Sequence, residues 1–285
     1  MTPIVQLIFN PDSGHYDAAT VTRLRAAFER AGARTLLAES SPRVACRIDA
    51  PATLVCAIGG DGTLRHVIAA LRASDRDVPL AAFACGSVNL YQSEVGCPTE
   101  IDAFVAHVLS APPRAQWDAT LNDTRMAICA GVGPDAMAVA AVSTRLKRLI
   151  GRFAYVVAFL AVLLRWPRPA LRLAWPGGAL DCEAVLVAKG RYYAGPWSFA
   201  PQAALDDPRL HVLAWPRMSR WHHLRFTLAL LTGRPQAIGG GSVAFGCESL
   251  TIDADRPWPV QADGDIVAQT PCAIALAATP YHAAR

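Results

Sequence analysis

The sequence predicts an α/β domain with a doubly wound parallel sheet, followed by a β-rich, sandwich-like second domain. Strand and helix signals alternate over roughly the first 110 residues, as in parallel sheets that helices cover on both faces. After Pro112-Pro113 the pattern changes to short strands separated by Pro, Gly and Asp turns. We place the two domains at residues 1–115 and 116–285, and we expect the C-terminal end to return to the first domain.

The first elements follow from apolar runs and the turn residues that end them. Residues 4–9 are an apolar strand that stops at Asn10-Pro11-Asp12-Ser13-Gly14. Apolar residues then recur at helical spacing until Ala31-Gly32 ends the helix. Residues 34–38 predict the second strand, and we expect a helix to follow it as far as about Ile48.

Two further strands run into loops that contain glycine. Residues 53–58 are a buried strand that leads into Gly59-Gly60-Asp61-Gly62-Thr63, and a helix follows. Residues 79–84 predict another strand, which enters Cys85-Gly86-Ser87-Val88-Asn89. Ligands of doubly wound sheets bind beyond the carboxyl ends of the strands. The loops after the first, third and fourth strands are therefore predicted to share one ligand-binding edge.

The second half of the chain predicts mostly strands. They lie at residues 127–130, 184–188, 210–214, 249–252 and 274–277, with helical insertions near 136–164 and 219–232.

The composition excludes several classes of protein. Hydrophobic residues make up 53% of the chain and charged residues 18%, so a disordered or fibrous chain is excluded. The net charge is only +4 and no dense Lys/Arg run occurs, which argues against a nucleic-acid partner. The eight cysteines are scattered without a C-x-x-C pair, and the N-terminus lacks a signal-peptide pattern. We therefore expect a cytoplasmic protein with reduced thiols.

The loop at Gly59–Thr63 carries the strongest chemical signal. Glycines let the backbone approach phosphate oxygens, and the helix that follows offers free N–H groups and its positive dipole end. Asp61 could hold a metal-bound water or fix the loop, and the Thr63 hydroxyl could donate. A single loop of this kind is most often an ordinary turn. Three in order on one sheet edge are far more specific.

Six elements follow one another along most of the chain: N-P-x-S-G at 10–14, G-G-D-G-T at 59–63, G-S-x-N at 86–89, G-x-G-x-D-A at 131–136, Asp206-Asp207, and Asp263-Gly264-Asp265. In their order and spacing they resemble the diacylglycerol kinase catalytic family, which includes bacterial lipid kinases and sphingosine kinases. The resemblance implies a nucleotide-binding first domain and a second domain that takes a lipid alcohol, with ATP and Mg²⁺ as cofactors.

The resemblance also implies roles for individual residues. Asp61 and Asp265 would be catalytic, and Asp265 stands where the family has a Glu proposed to accept the proton of the lipid hydroxyl. A structural magnesium would be held by Asp207 and the carbonyl groups of Ala204 and Arg209. The residues implied to line the ATP site are Asn10, Pro11, Asp12, Ser13, Gly14, Ser40, Gly59, Gly60, Asp61, Gly62, Thr63, Leu64, Arg65 and Ser87.

Departures from the family pattern keep alternatives open. Arg65-His66 stands where an Asn-Glu pair is common, Leu90 follows Asn89 where Asp is common, and Pro208 replaces a Gly. A kinase of a soluble substrate, similar to NAD kinases or phosphofructokinases, is one alternative, although the missing Asn-Glu pair argues against NAD kinase. A non-catalytic protein that binds nucleotide or lipid is the other.

The sequence also bears on the partners of the chain. Arg145, Lys147, Arg148 and Arg152 precede an apolar run at 153–164, a pattern that fits either a transient contact with the inner face of a membrane or a plain solvated helix face. The identity of the lipid is not encoded in any readable way, and pairing of the second domain in a homodimer stays open.

Overall fold

A computed structural model of the chain describes residues 2–13, 16–41, 46–86, 88–141, 158, 161–162, 164, 166, 168–233 and 241–284. The chain divides into two compact units. Unit 1 comprises Met1–Asp118 together with Ala278–Arg285, and unit 2 comprises Ala119–Ala277. The division thus falls three residues beyond the predicted position, and the C-terminal segment belongs with the first unit.

Unit 1 is a six-stranded sheet with helices, and the predicted fold class is confirmed. The strands lie in the order β2-β1-β3-β4-β18-β5, with β1 to β4 parallel to their neighbours. The elements are β1 (Ile4–Phe9), α1 (Ala18–Arg30), β2 (Arg34–Glu39), β3 (Leu54–Gly59), α2 (Asp61–Ala73), β4 (Leu80–Ala84), α3 (Leu90–Val95), α4 (Ile101–Ser110), β5 (Pro113–Gln116) and β18 (Tyr281–Ala284).

The core of unit 1 explains why its central strand β3 is apolar throughout. β3 is buried on both faces, so its sequence is a continuous apolar run rather than an alternating one. On one face, the rings of Phe83 and Phe28 meet Phe104 edge-on, with centroids 5.0 and 6.5 Å away. The helix α1 begins at Asp17, whose carboxylate accepts the backbone N–H groups of Ala19 and Thr20.

Unit 2 is a sandwich of two antiparallel sheets. Their strand orders are β10-β9-β14-β17-β6-β7 and β13-β12-β11-β8-β15-β16. The elements are β6 (Ala119–Leu121), β7 (Thr124–Met126), β8 (Cys129–Val132), α5 (Pro134–Ala141), β9 (Leu171–Trp175), β10 (Gly178–Cys182), β11 (Ala184–Ala188), β12 (Leu210–Trp215), α6 (Arg220–Leu231), β13 (Val243–Cys247), β14 (Ser249–Ala254), β15 (Pro259–Ala262), β16 (Asp265–Gln269) and β17 (Cys272–Leu276).

The sandwich core is made by side chains from both sheets of unit 2. Leu173 and Ile252 of one sheet and Val185 and Val212 of the other belong to a single buried cluster. The outer face of β11 and β12 is covered by α6, where Trp215 meets the ring of Phe226 edge-on at 5.2 Å. The contact between the Trp215 and Phe226 rings holds α6 against the sheet.

Some sequence predictions fail at the level of single elements. The helix expected to reach Ile48 is wrong for the described residues 40, 41 and 46–48, none of which is helical. Pro42 and Pro51 bound this stretch, and proline disfavours continuation of a helix on its N-terminal side. Within the part of the chain that the structure describes, no helix combines the length and apolarity needed to cross a bilayer.

Candidate active site

Three loops of unit 1 meet at the carboxyl ends of adjacent strands. Because β1, β3 and β4 are neighbours and parallel, the turns after them open at the same edge of the sheet. A shallow open pocket there is lined by Asn10 and Ser13 of the first turn, Gly59 of the second and Cys85 of the third. The predicted common edge is therefore present.

Glycine is required where the second and third loops touch. A Cβ atom on Gly86 would lie 2.8 Å from the Cα atom of Gly60, and one on Gly59 would lie 2.5 Å from Thr63 Oγ1. Cys85 N also donates to Gly59 O at 3.0 Å. At Gly86 the two backbones approach too closely for any larger residue, so main-chain groups line this edge of the sheet.

Asp61 joins the second loop to the third. Its carboxylate accepts the backbone N–H of Leu90 at 3.0 Å and that of Tyr91 at 3.1 Å, and so it caps the first turn of α3. Asn89 closes the same loop on itself, because its side-chain amide accepts from Gly86 N at 2.8 Å and donates to Gly86 O at 2.6 Å. Of the two roles expected for Asp61, these contacts support fixing of the loop.

The N-terminus of α2 suits an anion. Gly60, its N-cap residue, has no side chain to satisfy the first N–H groups of the helix. Because α2 starts two residues after β3 ends, this N-terminus lies at the carboxyl edge of the sheet. The side chains of Thr63, Leu64 and Arg65 are buried. What this turn offers a ligand is therefore chiefly its backbone. We call Gly59, Gly60 and Gly86 the glycine cradle; together with these N–H donors it fits the phosphates of a nucleotide.

The first loop is ordered by its own asparagine. Asn10 Oδ1 accepts the backbone N–H of Asp12 at 2.9 Å, and Asn10 O accepts that of Ser13 at 3.1 Å. Pro11 and Asp12 are exposed. Ser40 is fully buried and its N–H donates to Phe9 O at the end of β1. Gly14 and Ser87, which were also predicted to line the ATP site, lie outside the described residues.

In unit 2, Asp263-Gly264 forms the turn between β15 and β16. Asp263 and Gly264 have φ angles of 50° and 86°, the positive values that a two-residue hairpin turn requires. The Asp263 carboxylate accepts three backbone N–H groups, from Ala127 at 2.9 Å, Ile128 at 2.8 Å and Cys129 at 3.0 Å. Asp265 follows this anchored turn as the exposed first residue of β16.

The G-x-G-x-D-A element lies beside the same hairpin. Asp135, on α5, accepts from Gln261 Nε2 at 3.3 Å, and Gln261 Oε1 accepts from Gly264 N at 3.1 Å. Burial raises the pKa of Asp135 to about 6. Hydrogen bonds to its carboxylate, one of them from Tyr193, act in the opposite direction and lower the pKa. A Cβ on Gly131 would lie 2.3 Å from Asp135 Oδ2. No local sequence pattern singles out Gln261 or Tyr193, and only the fold brings them to Asp135.

The residues expected to hold a structural magnesium do not fit one. The Ala204 carbonyl oxygen already accepts from the Lys189 ammonium at 2.6 Å. The nearest His211 ring nitrogen, Nε2, lies 2.8 Å from Asp207 Oδ2, and Arg209 N donates to Asp207 O at 2.8 Å. Among the described residues no group of three His, Cys, Asp or Glu side chains converges on a point.

The basic residues predicted to contact a membrane cannot be placed. Arg145, Lys147, Arg148 and Arg152 lie outside the described residues, as does most of the apolar run at 153–164.

Profiles of two known domains match successive parts of the chain. The profile of the diacylglycerol kinase catalytic domain matches residues 5–116, and that of the YegS C-terminal NAD kinase beta sandwich-like domain matches residues 128–281. A "Probable lipid kinase YegS-like" from Stenotrophomonas maltophilia is 27% identical over 93% of this chain and 91% of its own length. One from Pseudomonas aeruginosa is 31% identical over 73% of this chain and 65% of its own length.

A solved structure supports the fold. A diacylglycerol kinase from Bacillus anthracis superposes with a TM-score of 0.75 at 19% identity, covering 95% of this chain and 93% of its own. At this level of identity the likeness shows the architecture alone.

Proposed function

Because this chain belongs to the family that joins a diacylglycerol kinase catalytic domain to a YegS-type β-sandwich domain, we propose that it is an ATP-dependent lipid kinase. It would transfer the terminal phosphate of Mg-ATP to a hydroxyl group of a diacylglycerol-like or other lipid alcohol. The observation that carries the proposal is the glycine cradle of unit 1, where three loops meet at one sheet edge.

Unit 1 supplies the phosphate-binding groups. The uncapped N–H groups at the start of α2 and the polar side chains of Asn10 and Ser13 would hold the phosphates. Asp61 contributes by keeping the third loop against the second, since it binds the backbone of Leu90 and Tyr91. Phosphoryl transfer depends mainly on such positioning and on charge neutralisation.

Asp265 of unit 2 is the proposed proton acceptor. As the hydroxyl oxygen of the lipid bonds to phosphorus, its proton passes to the Asp265 carboxylate and ADP departs. Asp265 is exposed and follows directly on a turn that Asp263 fixes through three backbone N–H groups. The side chain is one methylene shorter than the Glu common in the family, so the substrate hydroxyl would sit correspondingly closer to the backbone of β16.

The setting of the reaction follows from its substrates. ATP is a cytoplasmic molecule and a lipid alcohol resides in a bilayer, so we place the enzyme in the cytoplasm with transient contact to the inner face of the membrane. Pairing into a homodimer stays a prediction.

The test is transfer of phosphate from radiolabelled ATP, with Mg²⁺, to a total-lipid extract in detergent micelles. The wild-type protein is compared with D265N and with D253N, which makes the same change at an exposed Asp of β14 in the same unit. We expect one lipid to be labelled by wild type and D253N but not by D265N. ATP binding without any labelled lipid would move a soluble acceptor or a binding role ahead, and full activity of D265N would remove Asp265 from the mechanism.

A further inference from the structure

The helix α6 shows apolar side chains on two opposite faces. His223, Phe226 and Leu230 face the sheet and are buried. On the opposite face four apolar side chains are between 45% and 66% exposed, and Leu164, whose carbonyl accepts from Arg220 at 2.9 Å, is 79% exposed. We call these five residues the apolar stripe: Leu164, Trp221, Leu224, Leu228 and Leu231.

The four stripe residues on α6 lie on one face by helical geometry. At 3.6 residues per turn, positions 221, 224, 228 and 231 fall within an arc of about 80°. The buried contacts of Phe226 and Leu230 hold that arc toward solvent, because the helix cannot rotate without losing them. A group of large exposed apolar side chains of this kind marks a contact surface.

The charged side chains on α6, and the one at position 217 just before it, are all arginines. By the same helical geometry Arg220 and Arg225 flank the arc on either side, and Arg217 precedes the helix; all three are exposed. The sequence contains no Asp or Glu between Asp207 and Glu248. A second copy of this chain seated symmetrically on the same face would bring arginines against arginines, whereas an anionic lipid surface complements them.

We propose that this face of α6 docks the protein on an anionic membrane, with the apolar stripe entering the interface and the arginines meeting the lipid phosphates. Trp221 suits the headgroup level, where tryptophan is enriched. The inference rests on the proposed function in one respect only, which is that a lipid acceptor gives the enzyme a reason to visit a bilayer.

Vesicle flotation without nucleotide tests the docking face. Phosphatidylcholine vesicles with and without phosphatidylglycerol are mixed with wild type, L224Q/L228Q, R217E/R220E and the control L37Q. Leu37 is about as exposed as Leu224 but lies on β2 in unit 1. We expect wild type and L37Q to float with the anionic vesicles. Each double variant should bind these vesicles at least about tenfold more weakly than wild type.

Three results would overturn the docking face. They are no flotation of wild type with anionic vesicles, equal flotation of the double variants, and a wild-type dimer in sedimentation that L224Q/L228Q converts to monomer. Lipid phosphorylation in detergent micelles, measured on the same proteins, separates this inference from the proposed function. A wild-type protein that floats as expected but labels no lipid would refute the kinase and leave the docking face standing.

An independent observation concerns Lys189, which follows β11 and is fully buried. Its ammonium donates to the Ala204 carbonyl, the same oxygen that the family resemblance assigns to a structural metal ion. Carbonyl oxygens bind either a hard cation or an ammonium group. A divalent ion in contact with that oxygen would lie only a few ångströms from a buried positive charge, which repels it.

We infer that Lys189 takes the place of the structural metal ion in unit 2, so that the stability of the unit does not depend on a divalent cation. The remaining expected ligands are consistent with this exchange. Asp207 Oδ2 lies 2.8 Å from His211 Nε2, and Pro208 stands where a Gly is usual.

Thermal unfolding of EDTA-dialysed protein, with and without Mg²⁺ and without nucleotide, tests the exchange. We expect wild type and D207N to respond to Mg²⁺ identically, and K189M to lower Tm by roughly 5 °C. K147M makes the same chemical change at the only other lysine in the sequence and controls for the lost charge. A wild-type Tm that rises with Mg²⁺ when that of D207N does not would overturn the inference, as would a Tm of K189M equal to that of K147M. The Mg²⁺ comparison stands even if K189M fails to fold.

Discussion

The carboxylate of Asp61, in the first turn of α2, caps the helix that begins at Leu90, 29 residues further along the chain. It accepts the Leu90 N–H at 3.0 Å and the Tyr91 N–H at 3.1 Å. The loops after β3 and β4 are therefore held together by a charged side chain as well as by the contact between Gly60 and Gly86.

Replacing Asp61 should loosen the cradle. D61A removes both acceptors of the α3 N-terminus, and we expect it to lower the free energy of unfolding by about 1–3 kcal/mol. It should also weaken ATP binding, since the third loop is no longer held in place. Urea unfolding and a fluorescence titration with ATP measure the two effects. D75N, at an exposed Asp after α2, should change neither, and an ATP affinity in D61A equal to wild type would separate Asp61 from the nucleotide site.

The two aspartates of the β15–β16 hairpin should behave differently. D263A leaves three buried backbone N–H groups without their acceptor, so we expect a stability loss of several kcal/mol, on the order of 3. D265N changes an exposed carboxylate and should leave stability close to wild type while abolishing phosphate transfer. Urea unfolding together with the micellar kinase assay distinguishes them. The assignment would be wrong if D265N were as unstable as D263A.

Arg72 should hold the C-terminal segment onto unit 1. Its guanidinium pairs with the fully buried Asp118 and donates to Thr279 O at 2.8 Å and Pro280 O at 3.2 Å. R72M removes the guanidinium from the ion pair with this buried carboxylate, and breaking such a pair typically costs about 3–5 kcal/mol. Relative to wild type, we expect R72M to speed up amide hydrogen exchange more in β18 than in β1. R23M, an exposed change on α1, is the control. Exchange in β18 that matches wild type would contradict this role.

Asp135 and His223 should make stability depend on pH in opposite directions. Burial raises the pKa of Asp135 from 3.8 to about 6, so the stabilisation from its protonated form is complete below pH 3.8 and is lost as the pH rises to 6. Burial lowers the pKa of His223 from 6.5 to about 4, so its contribution is present above pH 6.5 and is lost as the pH falls to 4.

Variants of Asp135 and His223 separate their two contributions to the pH dependence of stability. D135N should gain stability relative to wild type as the pH rises from 4 to 6, by up to about 3 kcal/mol, and H223Q should gain as the pH falls over the same range. Urea unfolding at several pH values measures both. A D135N difference that stays constant with pH would show that Asp135 does not titrate in this window.

The apolar runs of the sequence were sufficient to predict the central part of unit 1. The strands β1, β3 and β4 are buried on both faces, so β3 and β4 are unbroken apolar segments and β1 is interrupted only by Gln6, and turn formers follow each strand. Parallel neighbours then place their loops on one edge. The alternation of strand and helix signals along the sequence therefore predicted both the fold class and the meeting of the three loops.

Side-chain contacts between distant residues were decided by the tertiary structure alone. No local pattern shows that Lys189 reaches Ala204, that Asp263 binds three amides more than 130 residues earlier, or that Gln261 meets Asp135. The sequence of α6 is apolar on both sides and cannot say which side the sheet covers. Local preferences act over a few residues, whereas these contacts depend on strand register and on which surfaces the packed sheets leave open.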